Sequence, residues 1–281
     1  MTTIYSLSTA PFRAKKFGEN SADGFSMDKF ELYTAAISSL VQRFCHGSTT
    51  FMHCDTLGAD YLERLGLSAV WNEVRVTIPD DLEGINPLMF WAAGKLFALA
   101  ATPSPVLMID TDFIAWELPE FGEGIIAAHR EELTEHVYPP ITHFKMKGSY
   151  NFDKTMNYSP RPLNTAFLYI PCDEFKRYYT DSAVEFKKSA ESCDDFLTYM
   201  VFAEQRLLAL LAEHRKAEVQ TLFELEQAHQ QKSYTHIWGA KQVMRDNPGE
   251  LEWFCERCRD RIRRDFPQWE WIITTIEEAF T

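Results

Sequence analysis

The pattern of apolar and polar positions divides the chain into short strands and amphipathic helices. Ile4–Leu7 is a brief apolar run that stops at the turn-like Ser8-Thr9-Ala10-Pro11, which predicts a first strand. After a Gly/Asn/Asp-rich connection, Phe30, Tyr33, Ile37, Leu40, Val41 and Phe44 recur at helical spacing, so a helix is expected over roughly 27–44. Gly47-Ser48 breaks it. Phe51–Cys54 reads as a second strand, followed by a helix from about Ala59 to Leu65 and a third strand at Val74–Ile78. A strongly apolar helix is expected from Asn86-Pro87 to Ala101, where Pro103-Ser104-Pro105 must end it. Val106–Ile109 is a continuous apolar run, as a central strand buried on both faces requires. Further along, Thr165–Ile170 and Glu218–Phe223 read as strands, 173–191 and 195–214 as helices, and about 249–280 as one or two terminal helices.

Strand–helix alternation through residue 112 predicts an α/β sheet with parallel strands. No internal repeat or low-complexity linker interrupts the chain, so one domain over 1–281 is expected, with a first half at 1–112, a second at 113–248 and a helical tail at 249–281. The chain of 281 residues is long enough to bury a sizeable core, and with 46% hydrophobic and 14% aromatic residues it is too apolar to be disordered. Twenty-eight basic against 41 acidic residues give a net charge of −13, which excludes binding nucleic acid through a broad basic face. A negatively charged small ligand is still compatible, because a metal ion or a few lysines reverse the local field. No apolar stretch is long enough for a spanning helix and the start lacks a signal-peptide pattern, so a cytoplasmic, soluble, reduced protein is expected. Cys45, Cys54, Cys172, Cys193, Cys255 and Cys258 have no disulfide rhythm. Cys255 and Cys258 form one CxxC with no second pair, and read as structural or surface thiols.

The sharpest chemical feature is VLMIDTDF. Ligands of open α/β sheets gather beyond the carboxyl ends of strands, and Asp110 and Asp112 stand just there. Two carboxylates one residue apart repel unless a cation neutralises them, and oxygen ligands favour a hard divalent ion, Mg²⁺ or Mn²⁺. Two capping Asp residues on a solvated loop are the bland alternative. The haloacid-dehalogenase phosphatases also end a strand in Asp-x-Asp, but on their first strand. Here more than a hundred residues precede Asp110, and no later Gly-Asp-x-x-x-Asp loop is present.

Taken in order, FMHCDTLGADYLERLGL, FWAAGK, VLMIDTDF, LNTAFLYI, FAEQRLL and YTHIWGAK resemble the nucleotide-sugar glycosyltransferases of the GT-A fold, from residue 4 to 241. The likeness extends to a bacterial group of glycosyltransferase-like proteins of unassigned activity. LNTAFLYI resembles that family's Asn-x-Gly strand, with Ala166 where Gly is usual. The resemblance implies a GT-A-like mixed, mostly parallel sheet flanked by helices, with a helical C-terminal tail. It implies a metal-dependent transferase moving a sugar from a nucleotide-diphosphate donor to an acceptor, whether glycan, lipid or protein. In that reading Asp110, Asp112 and His236 hold the metal, Lys241 adds charge to the leaving phosphate, and Gly239 lets the backbone pass close to the phosphates. Asp55 accepts from a base or ribose hydroxyl and Thr9 and Ala10 line the base. Lys95 points at the nucleotide, and Asn164, Glu204 and Gln205 face the sugar and acceptor, where Glu204 or Gln205 stabilises an oxocarbenium-like centre.

Each residue also has a plainer reading. His236 can be an ordinary half-buried histidine beside Trp238, Lys95 can snorkel to the surface, Asp55 can cap the following helix, and Asn164, Glu204 and Gln205 can be capping or surface groups. Glu131-Glu132 and CERCRDRIRR read as solvated helix faces, and Trp253, Phe254, Phe266, Trp269, Trp271 and Phe280 as packing for the tail. Two alternatives to the transferase are a catalytically silent relative that binds a sugar nucleotide or a partner, and a metal-dependent phosphatase.

Overall fold

A computed structural model describes residues 1–15, 24–148 and 150–281. The Gly/Asn/Asp-rich connection expected after Pro11 falls largely at 16–23, outside the described residues. In chain order the strands are β1 (Thr2–Leu7), β2 (Thr49–Cys54), β3 (Glu73–Val76), β4 (Val106–Ile109), β5 (Phe113–Ala115), β6 (Ile125–Ala127), β7 (Phe167–Ile170), β8 (Val219–Thr221) and β9 (Tyr234–His236). The helices are α1 (Ala10–Lys15), α2 (Lys29–Leu40), α3 (Thr56–Arg64), α4 (Gly94–Ala100), α5 (Asp173–Ser189), α6 (Phe196–Val201), α7 (Leu207–His214), α8 (Ala240–Asp246), α9 (Pro248–Asp265) and α10 (Trp271–Glu278).

Among the described residues, seven strands form a mixed, mostly parallel sheet in the order β3-β2-β1-β4-β7-β6-β8, flanked by helices. β3, β2, β1 and β4 run parallel, as the strand–helix alternation predicts. β7 lies antiparallel between β4 and β6, and β8 pairs parallel to β6. Alternation along β4 sends Leu107 and Ile109 to one face and Val106 and Met108 to the other, so the strand is buried on both sides. The first face packs against α2, α3, α9 and α10, the second against α4, α5 and the α6–α7 segment. Each fully buried Leu, Ile or Phe contributes about 1.5–3 kcal/mol to this arrangement.

Three differences from the sequence reading have local causes. The helix expected over 86–101 is regular only at α4, preceded by a looser turn that Asn86 caps by accepting from the backbone N–H groups of Leu88 and Met89. Gly94 then opens α4 against β1, where an added Cβ would stand 2.9 Å from that of Ser8. The helix expected over 195–214 is broken in the middle by a π-helical turn at Phe202–Arg206. In the tail, Phe266 is buried, whereas Trp253, Trp271 and Phe280 are exposed rather than packed on the sheet. Cys255 and Cys258 lie buried along α9, which pushes their thiols up to about 11 and about 12. No described helix is long and apolar enough to cross a membrane.

Candidate functional site

At the end of β4 the chain turns sharply. Asp110 donates its backbone N–H to Ala166 on the neighbouring β7 side (2.8 Å), and Phe113 N–H returns to the Asp110 carbonyl (3.0 Å). This turn aims both carboxylates of the Asp-x-Asp motif past the strand end. β5 then pairs with β9, setting Phe113 opposite His236, and Ile237 N–H bonds the Asp112 carbonyl (3.1 Å). A three-residue ladder therefore carries His236 to the side of Asp112, more than 120 positions away in sequence, with 3.8 Å between imidazole Nε2 and the carboxylate. Lys241, in the first turn of α8, reaches the same carboxylate at 2.9 Å and Glu31 of α2 at 3.5 Å.

These groups line one cavity of about 480 Å³ at the strand ends, together with Lys95, Asn164, Glu204 and Gln205. Lys95 does not snorkel. Its ammonium sits 2.6 Å from Asp110 and also binds Glu204, and although burial opposes its charge, Asp110 and Glu204 hold it protonated. Burial raises the Asp110 carboxyl despite Lys95, while Asp112 and Glu204 are held below the usual carboxylate range, burial being overcome by Lys241 and by Lys95 respectively. Burial lowers His236 to about 4, so its imidazole is neutral at pH 7 and keeps a lone pair for a ligand. Four carboxylates (Glu31, Asp110, Asp112, Glu204) thus face two ammonium groups, an excess of two negative charges.

Among the described residues no three His, Cys, Asp or Glu side chains are already gathered around one point, because Lys95 and Lys241 draw the two aspartates toward themselves. The donor chemistry nevertheless suits a hard divalent cation: two carboxylates, a neutral imidazole, and a charge excess equal to the charge of one such ion.

Glu204 and Gln205 stand on the π-helical turn, and both line the cavity. Glu204 is nearly buried and accepts from Lys95 and the Thr165 hydroxyl. The Gln205 side-chain oxygen accepts from the Tyr138 hydroxyl, leaving its amide N–H groups to the cavity. Asn164 accepts from the Ala166 N–H (3.0 Å) and donates to Glu131 (2.8 Å), which leaves one amide N–H. Neither Glu204 nor Asn164 is a surface cap. Glu131 corrects the sequence reading: it is buried rather than on a solvated face, and accepts from both Asn164 and His129. The other ring nitrogen of His129 has no hydrogen-bond partner among the described residues. The signal for this pair was present in sequence, since His129 and Glu131 directly follow the apolar run Ile125–Ala128.

Four expected nucleotide contacts, Thr9, Ala10, Asp55 and Gly239, are not among the residues that line this cavity. Asp55 is fully buried and caps α3, accepting from Gly58 N–H (2.9 Å), from the N–H and hydroxyl of Thr9, and from Arg13. Its carboxylate has no capacity left for a base or ribose, so the capping alternative is the one realised. Thr9 and Ala10 are buried by the same clamp and do not line the cavity. Gly239 precedes α8 at φ −79°, and a Cβ there would meet nothing within 4 Å, so the protein itself does not require glycine at that position.

A family model matches residues 1–269. The chain belongs to a family of unknown function (DUF6734). No curated protein matches this DUF6734 member. Among solved structures it is similar to the galactosyltransferase LgtC in complex with donor and acceptor sugar analogues, at 13% identity over 72% of this chain and 70% of that one, with a TM-score of 0.39. It is also similar to the glycosyltransferase GlyE of Streptococcus pneumoniae TIGR4, at 12% identity over 81% of this chain, with a TM-score of 0.36. The chain spans 45% of the length of GlyE.

Proposed function

We propose that the protein is a GT-A-like glycosyltransferase that takes a nucleotide-diphosphate sugar with a divalent cation, Mn²⁺ or Mg²⁺. One observation carries the reading: a strand-end cavity in which the Asp110/Asp112 pair, a neutral His236 and two lysines combine with an excess of two negative charges. A bare diphosphate is repelled by that excess. A diphosphate accompanied by a divalent ion is not.

In this reading Asp110, Asp112 and His236 hold the ion, which when bound supplies a Lewis acid for the diphosphate. Lys241, on a helix start and half-exposed, turns from Asp112 to the leaving phosphate and stabilises its developing charge. Lys95 keeps Glu204 ionised and fixed, so that its carboxylate offers negative charge to a positive centre at the anomeric carbon. The free N–H groups of Asn164 and Gln205 orient sugar hydroxyls.

The test is calorimetric titration with Mn²⁺ and nucleoside diphosphates, followed by assay of nucleoside-diphosphate release from a panel of sugar nucleotides. Mn²⁺-dependent release is expected, lost in Asp110→Ala and His236→Ala. Glu204→Gln is expected to keep binding and slow release roughly 100-fold or more, the mark of an interaction made mainly in the transition state. Binding with no release from any donor, with a range of acceptors present, supports the silent relative instead. Release that ignores the sugar and extends to simple phosphate esters supports the phosphatase.

A further inference from the structure

Three large apolar side chains on the rim of the cavity are left in water. Trp91 is 44% exposed, Leu197 50% and Trp238 57%, and they come from three separate segments: the turn before α4, the start of α6, and the link from β9 to α8. Singly exposed aromatics occur elsewhere in this protein, but three large apolar side chains gathered at the mouth of one cavity form a surface that a ligand can cover. Trp238 is also held in place. Its ring lies nearly parallel to the His236 imidazole, with centroids 5.9 Å apart and planes 14° apart, and approaches His129 at 6.2 Å. A ring already fixed from below loses little freedom when a ligand covers its open side.

We infer that this rim is the acceptor subsite and that it takes a neutral saccharide, a pyranose ring lying on the Trp238 indole. The inference rests on the glycosyltransferase reading for naming the ligand an acceptor, but the binding itself does not depend on it. A pyranose has a flat C–H face bordered by hydroxyls, which matches an indole plane bordered by polar groups. The free amide N–H groups of Gln205 and Asn164 line the same cavity and meet the hydroxyls. The two excess negative charges of the floor repel a phosphorylated or acidic acceptor that brings no cation of its own. An acyl chain finds no match either, since the cavity is floored by Lys95, Asp110, Asp112 and Glu204 rather than by apolar side chains.

Saturation-transfer NMR on the full chain tests this with neutral methyl glycosides and di- and trisaccharides, and with uridine and adenosine as nucleoside probes. At least one saccharide is expected to bind, with transfer strongest to axial ring C–H protons. Trp238→Ala is expected to weaken it roughly tenfold, and Trp238→Phe to retain most of the affinity because the flat face remains. Thermal melts of each variant check the fold, and Trp238→Leu, which keeps an apolar but not a planar side chain, is expected to behave like Trp238→Ala. Saccharide binding unchanged in Trp238→Ala overturns the inference, as does a saturation signal confined to the nucleosides or the absence of any saccharide signal at millimolar concentration. Calorimetry with Mn²⁺ and a nucleoside diphosphate, run on the same samples, separates the two readings. Diphosphate binding without saccharide binding sinks only this inference, whereas saccharide binding without diphosphate binding sinks only the proposed donor site.

Discussion

His53 is a buried histidine remote from the cavity whose protonation state is set by its neighbours. The Thr102 hydroxyl gives its proton to the Ala98 carbonyl (3.0 Å), so it accepts from His53 Nε2 (3.1 Å), and the Thr77 hydroxyl at 2.7 Å then donates to Nδ1. The neutral ring is thus fully satisfied, and burial, with Arg75 nearby, lowers its pKa to about 4. The unfolded chain takes up this proton near pH 6.5 and the folded one only near 4. The His53 contribution is therefore present above pH 6.5 and is lost as the pH falls through that window. Urea denaturation of wild type and His53→Gln between pH 7 and 4 checks this: the stability difference between them is expected to shrink as pH falls. A difference that stays constant would falsify it. Asp55 teaches the complementary lesson, because a buried carboxylate at a strand end proves to be a clamp once its donors are counted.

Helix α8 matters because its first turn carries Lys241 to Asp112 and Glu31. Lys241 and a divalent cation compete for the same carboxylate, which predicts weak binding of the metal alone and stronger binding once a diphosphate gives the ammonium another partner. In Lys241→Met, Mn²⁺ alone is expected to bind roughly fivefold more tightly, about 1 kcal/mol, while a nucleoside diphosphate tightens it less than in wild type. Calorimetric titration reads both quantities. Equal Mn²⁺ affinity in the two proteins removes the competition from the account. The π-helical turn at Phe202–Arg206 belongs to the same scale, since its extra residue shifts the phase of α7 relative to α6 within the segment read as one helix.

For the whole molecule, the tail is part of the core. α9, α10 and the link between them bury Cys255, Cys258, Ile262, Phe266, Ile272, Ile273 and Ile276 in the cluster that includes α2. Burial of that many side chains contributes on the order of 10 kcal/mol or more, comparable with the net stability of a folded domain. A chain ending at Asn247 is therefore expected to lose its cooperative thermal transition and its near-UV circular dichroism. A transition within a few degrees of the full chain's would show that the sheet and α2 stand without the tail.

The sequence by itself determined the elements whose signal is local. Val106–Ile109 is found as read, because four apolar residues closed by Asp-Thr-Asp state both burial and termination. β1 and β2 are found with two further residues at their starts, the helix expected over 27–44 is found as α2 followed by a π-helical turn at Val41–Cys45, and the parallel order of the first half follows from strand–helix alternation. Tertiary structure decided what depends on distant partners. β5 and β9 have three residues each, too few to show a period, yet their register brings His236 to Asp112. β7 carries the same apolar pattern whichever way it runs, so its antiparallel placement was not written in it. Glu131 reads as a solvated charge, which the structure reverses, and Asp55 reads equally as a ligand contact or a helix cap, between which the structure selects the cap, because the worth of a carboxylate is set by the donors that other segments bring to it.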